Sequence, residues 1–582
     1  MRRSRTLALP AALTAATIAA VIAVWAGGTA VAAEAPPGGV AVLAAGPAAV
    51  QALAANAADH DDPADHVWNA ADVRTVALTG SGATTTAPGV TVSGSTVTVT
   101  AAGTYQLSGS LTNGRIVVNS TGAGIVRLIL NGVTLASSTG APVDVVAAAE
   151  AMIVIADGTT NRISDAATHS ATDPANAALY SAANLTITGN GSLVVAGNAF
   201  DGIASADGLV VDGGTIGVTA VDDGIRGKDY LVMQGGAVTV NASGDGLKSD
   251  DDADPTRGYV SLAAGAASVT AAGDAVTAET DVIVSGGSLT ARSGGGSAVV
   301  PGEASAKGLK AGVAVVISEG RTTVDASDDG VHSDATVTVD GGTTVVASGD
   351  DGVHAEGVLA VSAGAVTVSR SHEGLEGLKV LISGGSVTAT ASDDAVNAAQ
   401  EGLPDTQNAP NATIAVSGGT VVASGGTDGL DSNGTLALSG GVVVVAGSST
   451  SGRGEGGLDS NGALTITGGT ILSTGLTAST STLPAAGQGW VSYLFAANQP
   501  AGTVVHLATS SGTQIASFQP TRVFRGVVFS AGQIARGTSY VVYTGGSVSG
   551  TAVGGGLYTG GTLSGTRVAA VTAGTAGTAA RG

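Results

Sequence analysis

Asp222-Asp223-Gly224-Ile225-Arg226-Gly227-Lys228-Asp229 is one copy of a phrase that keeps returning along the middle of the chain. Aligned on its apolar residue, it recurs as Phe200-Asp201-Gly202-Ile203, Gly244-Asp245-Gly246-Leu247, Gly273-Asp274-Ala275-Val276 and Ala306-Lys307-Gly308-Leu309. It continues as Asp328-Asp329-Gly330-Val331, Asp350-Asp351-Gly352-Val353, His372-Glu373-Gly374-Leu375 and Asp393-Asp394-Ala395-Val396. Thr427-Asp428-Gly429-Leu430 and Glu455-Gly456-Gly457-Leu458 close the series. From Ile203 to Leu247, and again from Leu309 to Leu375, the step is 22 residues. Steps of 29 and 33 flank Val276, 34 and 28 fall near the end, and one step is 21. One repeat carrying loop insertions accounts for all of these, and a period in this range signals a solenoid.

Ten residues after the anchor lies a glycine pair, Gly235-Gly236 and Gly341-Gly342 in the regular copies. Short alternating segments flank it, such as Val337-Thr338-Val339 before and Thr344-Val345-Val346 after. Alternation at period two means strand, and paired glycines mean a turn that needs positive φ. Three strands and three turns per repeat describe one coil of a parallel β-helix. A leucine-rich repeat has a similar period but would show leucine spacing and helical stretches, whereas Val, Thr and Gly dominate here. The fold class is therefore all-β, a parallel β-helix of about 22 residues per coil with a small C-terminal β cap.

Around this core the chain divides by composition. Arg2, Arg3 and Arg5, an apolar run from Leu7 to Trp25, and Ala30-Val31-Ala32 make 1–33 a secretory signal peptide. Residues 34–66, rich in Ala and Pro, are expected to be a flexible spacer. Residues 67–178 are expected to form the N-terminal cap and first irregular coils, and 179–475 the regular β-helix. The aromatic segments Gly489–Phe495, Phe524–Phe529 and Tyr540–Tyr543 fall in a β cap over 484–544, followed by a loosely ordered Gly/Thr/Ala-rich tail, 545–582. No other stretch is long and apolar enough to span a membrane, so the mature chain is expected to be secreted, extracellular or cell-surface associated, and monomeric. The chain has no cysteine, hence no disulfide framework. Its formal charge is −22, and removing the signal takes away three arginines and no acid. That sign disfavours nucleic acid as a partner and favours cations, or an anionic polymer bridged through cations.

Two columns of side chains carry chemistry. Two residues before each anchor stand Asp201, Asp223, Asp245, Asp274, Lys307, Asp329, Asp351, Glu373, Asp394 and Asp428. In stacked coils neighbours lie about 5 Å apart, where two unit charges repel by roughly 3 kcal/mol at an effective dielectric near 20. Protons, cationic side chains or bound metal must relieve this. Second acids lie nearby at Asp222, Asp250, Asp328 and Asp350. Carboxylate-rich, cysteine-free clusters favour Ca2+, with Asp201, Asp222, Asp223, Asp245, Asp250, Asp274, Asp328, Asp329, Asp350 and Asp351 as candidate ligands. The competing reading is that Asp-Gly is turn chemistry, each carboxylate bonding its own backbone. One residue past the anchor lie Arg226, Lys248, Thr277, Lys310, His332, His354, Glu376, Asn397, Asp431 and Asp459, a row that starts cationic and ends acidic. Arg226, Lys228, Lys248 and Lys310 either neutralise the acids or meet the carboxylates of a uronate polymer. Lys248 is the candidate base should the chain catalyse β-elimination. His332 and His354, one coil apart beside aspartates, are a candidate transition-metal pair. Between Asp201 and Gly475 the aromatics are Tyr230 and Tyr259, so no row of rings lies ready to stack on sugar faces.

Gly103-Thr104-Tyr105-Gln106-Leu107, Asn131-Gly132-Val133, Ala156-Asp157-Gly158-Thr159-Thr160-Asn161, Ala177-Ala178-Leu179-Tyr180-Ser181 and the phrase at Asp222–Asp229 are together similar to a known family. The chain resembles exported bacterial carbohydrate-binding β-helix proteins, related in fold to pectate lyases, over about residues 72–544. The resemblance implies a right-handed parallel β-helix, bound calcium, and recognition of plant-wall polysaccharide, including polygalacturonate. It does not imply lyase activity. Lyases of similar fold place aspartates on consecutive rungs with a lysine nearby, and Asp201, Asp222, Asp223 and Lys248 match that arrangement, although Arg226 stands where another acid belongs. Three functions follow: a calcium-loaded binder of acidic polysaccharide, a calcium-dependent polysaccharide lyase, and a surface adhesin or spacer.

Overall fold

The computed structural model describes residues 48–169, 174–400, 402–404, 406–450, 456–477, 479 and 481–578. The expected signal peptide, and the spacer up to residue 47, lie outside the described residues, as does Glu455 of the last repeat. No helix among the described residues is long and apolar enough to cross a membrane.

The chain is all-β, and one large sheet takes up most of it. The anchor strands pair in parallel from each repeat to the next: Ile203 opposite Ile225, Ile225 opposite Leu247, Leu247 opposite Val276, Val276 opposite Leu309. The same column reaches back through Leu179 and Val143 to Ile116, where the repeating phrase is no longer readable. Two further strands per repeat stack likewise, Tyr230–Met233 on Tyr259–Leu262 and Thr215–Ala220 on Ala237–Ala242. Each strand thus bonds to the equivalent strand one repeat away, and we call each three-strand unit a rung.

The interior is a continuous file of aliphatic side chains. Ile203, Ile225, Leu247, Val276, Leu309 and Val331 are each at most 3% exposed. Burial of one such side chain contributes about 1.5–3 kcal/mol, so stability accumulates from rung to rung. The glycine pair does two jobs. Gly236 takes φ 76° and Gly342 φ 64°, as a turn of this kind requires. Their partners Gly235 and Gly341 keep ordinary φ, but a Cβ there would run into the carbonyl oxygens of Asp212 and Ser318 on the preceding rung.

Two expectations are corrected. The flexible spacer ending at residue 66 is, from residue 48 on, a strap laid along the stack. Its helix Ala49–Ala55 buries Ala49 and Ala52 against Ile283, Ala314 and Val316. Asn56 Nδ2 donates to Asp281 Oδ2 (2.7 Å), and the Tyr259 hydroxyl donates to the Ala57 carbonyl (2.8 Å). His60 bridges the Tyr230 and Thr186 hydroxyls at 2.9 Å each, and Arg127 Nε donates to the Asp65 carbonyl (2.7 Å). Small alanines let the helix approach closely, so the composition that suggests a linker serves a packed contact. Tyr230 and Tyr259 stack at 5.5 Å beneath this strap. The tail expected to be loose carries strands Thr551–Gly554, Leu557–Thr559, Thr566–Thr572 and Ala576–Thr578. The first three complete a six-stranded sheet with Val505–Thr509, Gln514–Phe518 and Ser539–Thr544. Leu557 and Val571 are buried there with Phe518 and Tyr540. At the end of the stack Phe524–Ser530 pairs antiparallel with Thr470–Gly475, replacing the parallel partner that a further rung would supply.

Candidate functional site

The acidic column is a ladder. The Asp201 carboxylate accepts the backbone N–H of Asp223 (3.2 Å), Asp223 that of Asp245 (2.8 Å), Asp245 that of Asp274 (2.9 Å), and Asp274 that of Lys307 (2.7 Å). After Lys307 it resumes: Asp329 accepts from Asp351 (3.1 Å), Asp351 from Glu373 (3.2 Å), and Asp394 from Asp428 (2.7 Å). One oxygen of each aspartate therefore satisfies a main-chain donor in the next rung rather than in its own turn. The glycine after it serves packing. A Cβ on Gly224 would meet Val240 in the core and the Gly246 carbonyl.

The second oxygen of Asp223, Asp245, Asp274, Asp329 and Asp351 faces the row one residue past the anchor, while that of Asp201 accepts from Asn176 Nδ2 (2.9 Å). Lys248 Nζ lies 3.0 Å from Asp223 Oδ2 and 2.9 Å from Asp245 Oδ2. Lys307 Nζ reaches Asp329 Oδ2 (2.5 Å) and Asp328 Oδ1 (3.1 Å), and Lys310 lies 3.7 Å from Asp274. Arg226 Nε bonds Asp250 Oδ2 (2.9 Å). Lys228, half-buried on the neighbouring turn, adds its charge to the field at Asp251. Asp201, Asp222 and Asp223 place carboxylate oxygens within 4.8 Å of one another, while Asp245 is held by Lys248. Burial, reinforced by the charges of Asp223 and Asp222, raises the Asp201 carboxyl to about 7. Burial alone would lower the Lys248 ammonium, but hydrogen bonds and charge from Asp245 and Asp223 push it well above its ordinary value.

Beyond Asp329 the pairing changes. Lys and Arg give way to His332 and His354, then to Glu376 and Asn397, in strict register. Asp350 and Asp351 have His372 beside them. Among the described residues no lysine or arginine forms an ion pair with Glu373 or Glu376. Burial, and then the charges of Glu373 and Asp351, drive the Glu376 carboxyl far above the usual range, and it hydrogen-bonds to both. Asn397, 6% exposed, donates Nδ2 to Glu373 Oε2 (2.7 Å), while its Oδ1 has no hydrogen-bond partner. The next rung repeats the situation at Asp394, raised to about 9 by burial and by Asp431 and Asp428.

Beside this cluster the insertion after Asn397 forms one wall of a depression of about 240 Å3, lined by His354, Glu356, Glu376, Gln400 and Leu403 among others. Glu373, Glu376 and Asn397 are the members that sequence reasoning left out of the candidate ligand set. Their signal was the loss of every cation from the row after His354, together with a 34-residue step that makes room for a wall.

A family model described as "Carbohydrate-binding domain-containing protein" matches residues 93–352. This supports a carbohydrate-binding role. A solved structure, that of the polysaccharide lyase-like protein from C. thermocellum in a gadolinium derivative, is 25% identical, covering 49% of this chain and 96% of that one with a TM-score of 0.35. No curated protein sequence matches the chain.

Proposed function

We propose that this chain is an exported, calcium-loaded, right-handed parallel β-helix that binds an acidic polysaccharide of the polygalacturonate kind without cleaving it. The observation that carries the reading is the carboxyl cluster Asp351, Glu373 and Glu376, which faces His354 and Asn397 where the earlier rungs have lysine and arginine. Its donor set fits calcium. Three carboxyl groups and an orphaned, buried amide oxygen on Asn397 are all hard oxygens, and Ca2+ takes six to eight of these with loose geometry. Asp351, Glu373, Glu376 and Asn397 would hold the ion, and Asp201, Asp222 and Asp223 are a second candidate group. An ion shared between such a cluster and the carboxylates of a polymer would link two anionic partners that otherwise repel.

The lyase reading asks Lys248 to act as a base. Clamped between Asp223 and Asp245, its ammonium is held protonated, the wrong state for abstracting a proton. Pull-down on insoluble polygalacturonate, with calcium and with chelator, tests the proposal. Retention only with calcium, with no ultraviolet absorbance from unsaturated product, is the expected result. A steady absorbance rise lost on Lys248→Ala would establish the lyase instead. Failure to bind any wall polymer would leave a spacer.

A further inference from the structure

We propose that His332, His354 and Asp329 form a binding site for a transition-metal ion of the zinc class, distinct from the all-oxygen cluster one rung on. The pairing of consecutive rungs sets His332 directly opposite His354. Their rings lie edge to face with centroids 5.0 Å apart. Both turn Nδ1 toward the same carboxylate, His332 at 3.0 Å and His354 at 3.8 Å from Asp329 Oδ2. One atom from each of the three residues falls within 4.8 Å of the other two. Two imidazole nitrogens and one carboxylate suit Zn2+, Co2+, Ni2+ or Cu2+ and not Ca2+.

Two further features point the same way. His332 Nε2 lies 3.0 Å from Asp334 Oδ1, so the far nitrogen is held by a carboxylate, and Nδ1, which bonds Asp329 Oδ2, is the nitrogen a metal would take over. That outer carboxylate is the usual way a ligating histidine is oriented. His354 also lines the 240 Å3 depression, so the metal would keep a face open to water or a ligand oxygen. Lys307 is the built-in competitor, since its ammonium lies on Asp329 Oδ2; a metal would leave it paired with Asp328, 3.1 Å away. The site borders the proposed calcium cluster, since His354 Nδ1 lies 3.8 Å from Asp351 Oδ2 as well as from Asp329 Oδ2; its ligands are nonetheless His332, His354 and Asp329 alone.

Calorimetric titration of the mature chain with Zn2+, in buffer already saturated with Ca2+, tests the site without interference from the oxygen clusters. One Zn2+ per chain is expected. His332→Ala and His354→Ala should each weaken it at least about tenfold, and Asp334→Asn by about 10–100-fold. Asp334 has a side chain 61% exposed, so its variant should melt like wild type without metal and keeps the test valid should either histidine variant misfold. Absence of zinc binding, or unchanged affinity in Asp334→Asn and in the double histidine variant, would overturn the proposal.

Discussion

Rungs from Asp223 to Lys310 and rungs from Asp351 to Asp428 share a backbone, a step and a carboxylate ladder, and differ in what faces the ladder. In the first region Lys248, Lys307 and Lys310 sit on the outward carboxylate oxygens. In the second, carboxyl groups face one another and take up protons. The comparison separates two roles that one aspartate can combine. Its inner oxygen closes a main-chain hydrogen bond, which any rung needs. Its outer oxygen is available for whatever the row beside it supplies: a fixed cation, a proton or a metal.

The sharpest way to break the comparison is to remove a cation from the first region. Lys307→Met leaves Asp328 without a cation and buried Asp329 with His332 and His354 alone, and should cost about 3 kcal/mol in denaturant unfolding. Glu376→Gln, measured in chelator, should cost nothing. Equal losses from the two variants would show that both regions are neutralised alike. Next in size is calcium. If the acid cluster binds it in the native state alone, the ion stabilises by about 2.7 kcal/mol at one hundred times its dissociation constant. Chelation should therefore lower the melting temperature of wild type clearly, and that of Glu376→Gln much less. A chelator-insensitive wild type, with no ion by elemental analysis, would leave the acids as ladder residues alone.

The ladder itself should be indifferent to region. Asp223→Ala and Asp351→Ala each orphan a part-buried N–H and should lose about 1 kcal/mol. Asp351→Asn keeps the acceptor and should recover the loss, whereas Asp223→Asn recovers less because Lys248 loses a partner. Full rescue by Asn at both positions would argue that the Lys248 pairing contributes nothing. The pH dependence has opposite signs at Asp394, in the second region, and at Asp329, which lies between the two. Asp394 rises from its ordinary 3.8 to about 9, so its folded form favours the proton. Stability from this group is complete below pH 4 and is lost as pH climbs toward 9, by about 1.4 kcal/mol per unit. Although burial alone would raise it, bonds from His332 and His354 and the Lys307 ammonium hold Asp329 well below the ordinary range. Its contribution is present above pH 4 and is lost on acidification. In chelator, melting temperature should fall between pH 5.5 and 8, and Asp394→Asn should flatten the slope. A rising or flat profile in wild type would contradict the assigned protonation. The smallest effect belongs to the rim: Asp250→Asn, against half-exposed Arg226, should cost under about 1 kcal/mol.

The repeat was legible in the sequence because 22-residue steps and glycine pairs leave a mark that needs no partner to interpret. The columns followed from alignment alone, including the change from Arg226 to Glu376. The direction in which each oxygen points was not legible. Asp-Gly looks like a turn because aspartate bonds its own backbone in isolated peptides, and only stacking puts a neighbour's N–H within reach. Asp245 looked like a metal ligand because its neighbours in the column, Asp223 and Asp274, are acids, yet Lys248, three residues on, curls back over it. The strap was hidden for another reason. Alanine carries no pattern, and the seat of Ala49 on Ala314 and Val316 is more than two hundred residues away.

That distance sets an order of events. A chain emerging amino end first delivers residues 48–56 long before Ile283, Ala314, Val316 and Ser318 exist to receive them. The strap cannot nucleate anything. Rungs must be laid down through the one that holds Ser318 before the helix finds its place, so its docking marks the completion of that part of the stack. Until then Tyr230 and Tyr259, later covered by Ala57 and His60, stay open to solvent, and the nascent chain exposes a ring pair that the finished molecule hides.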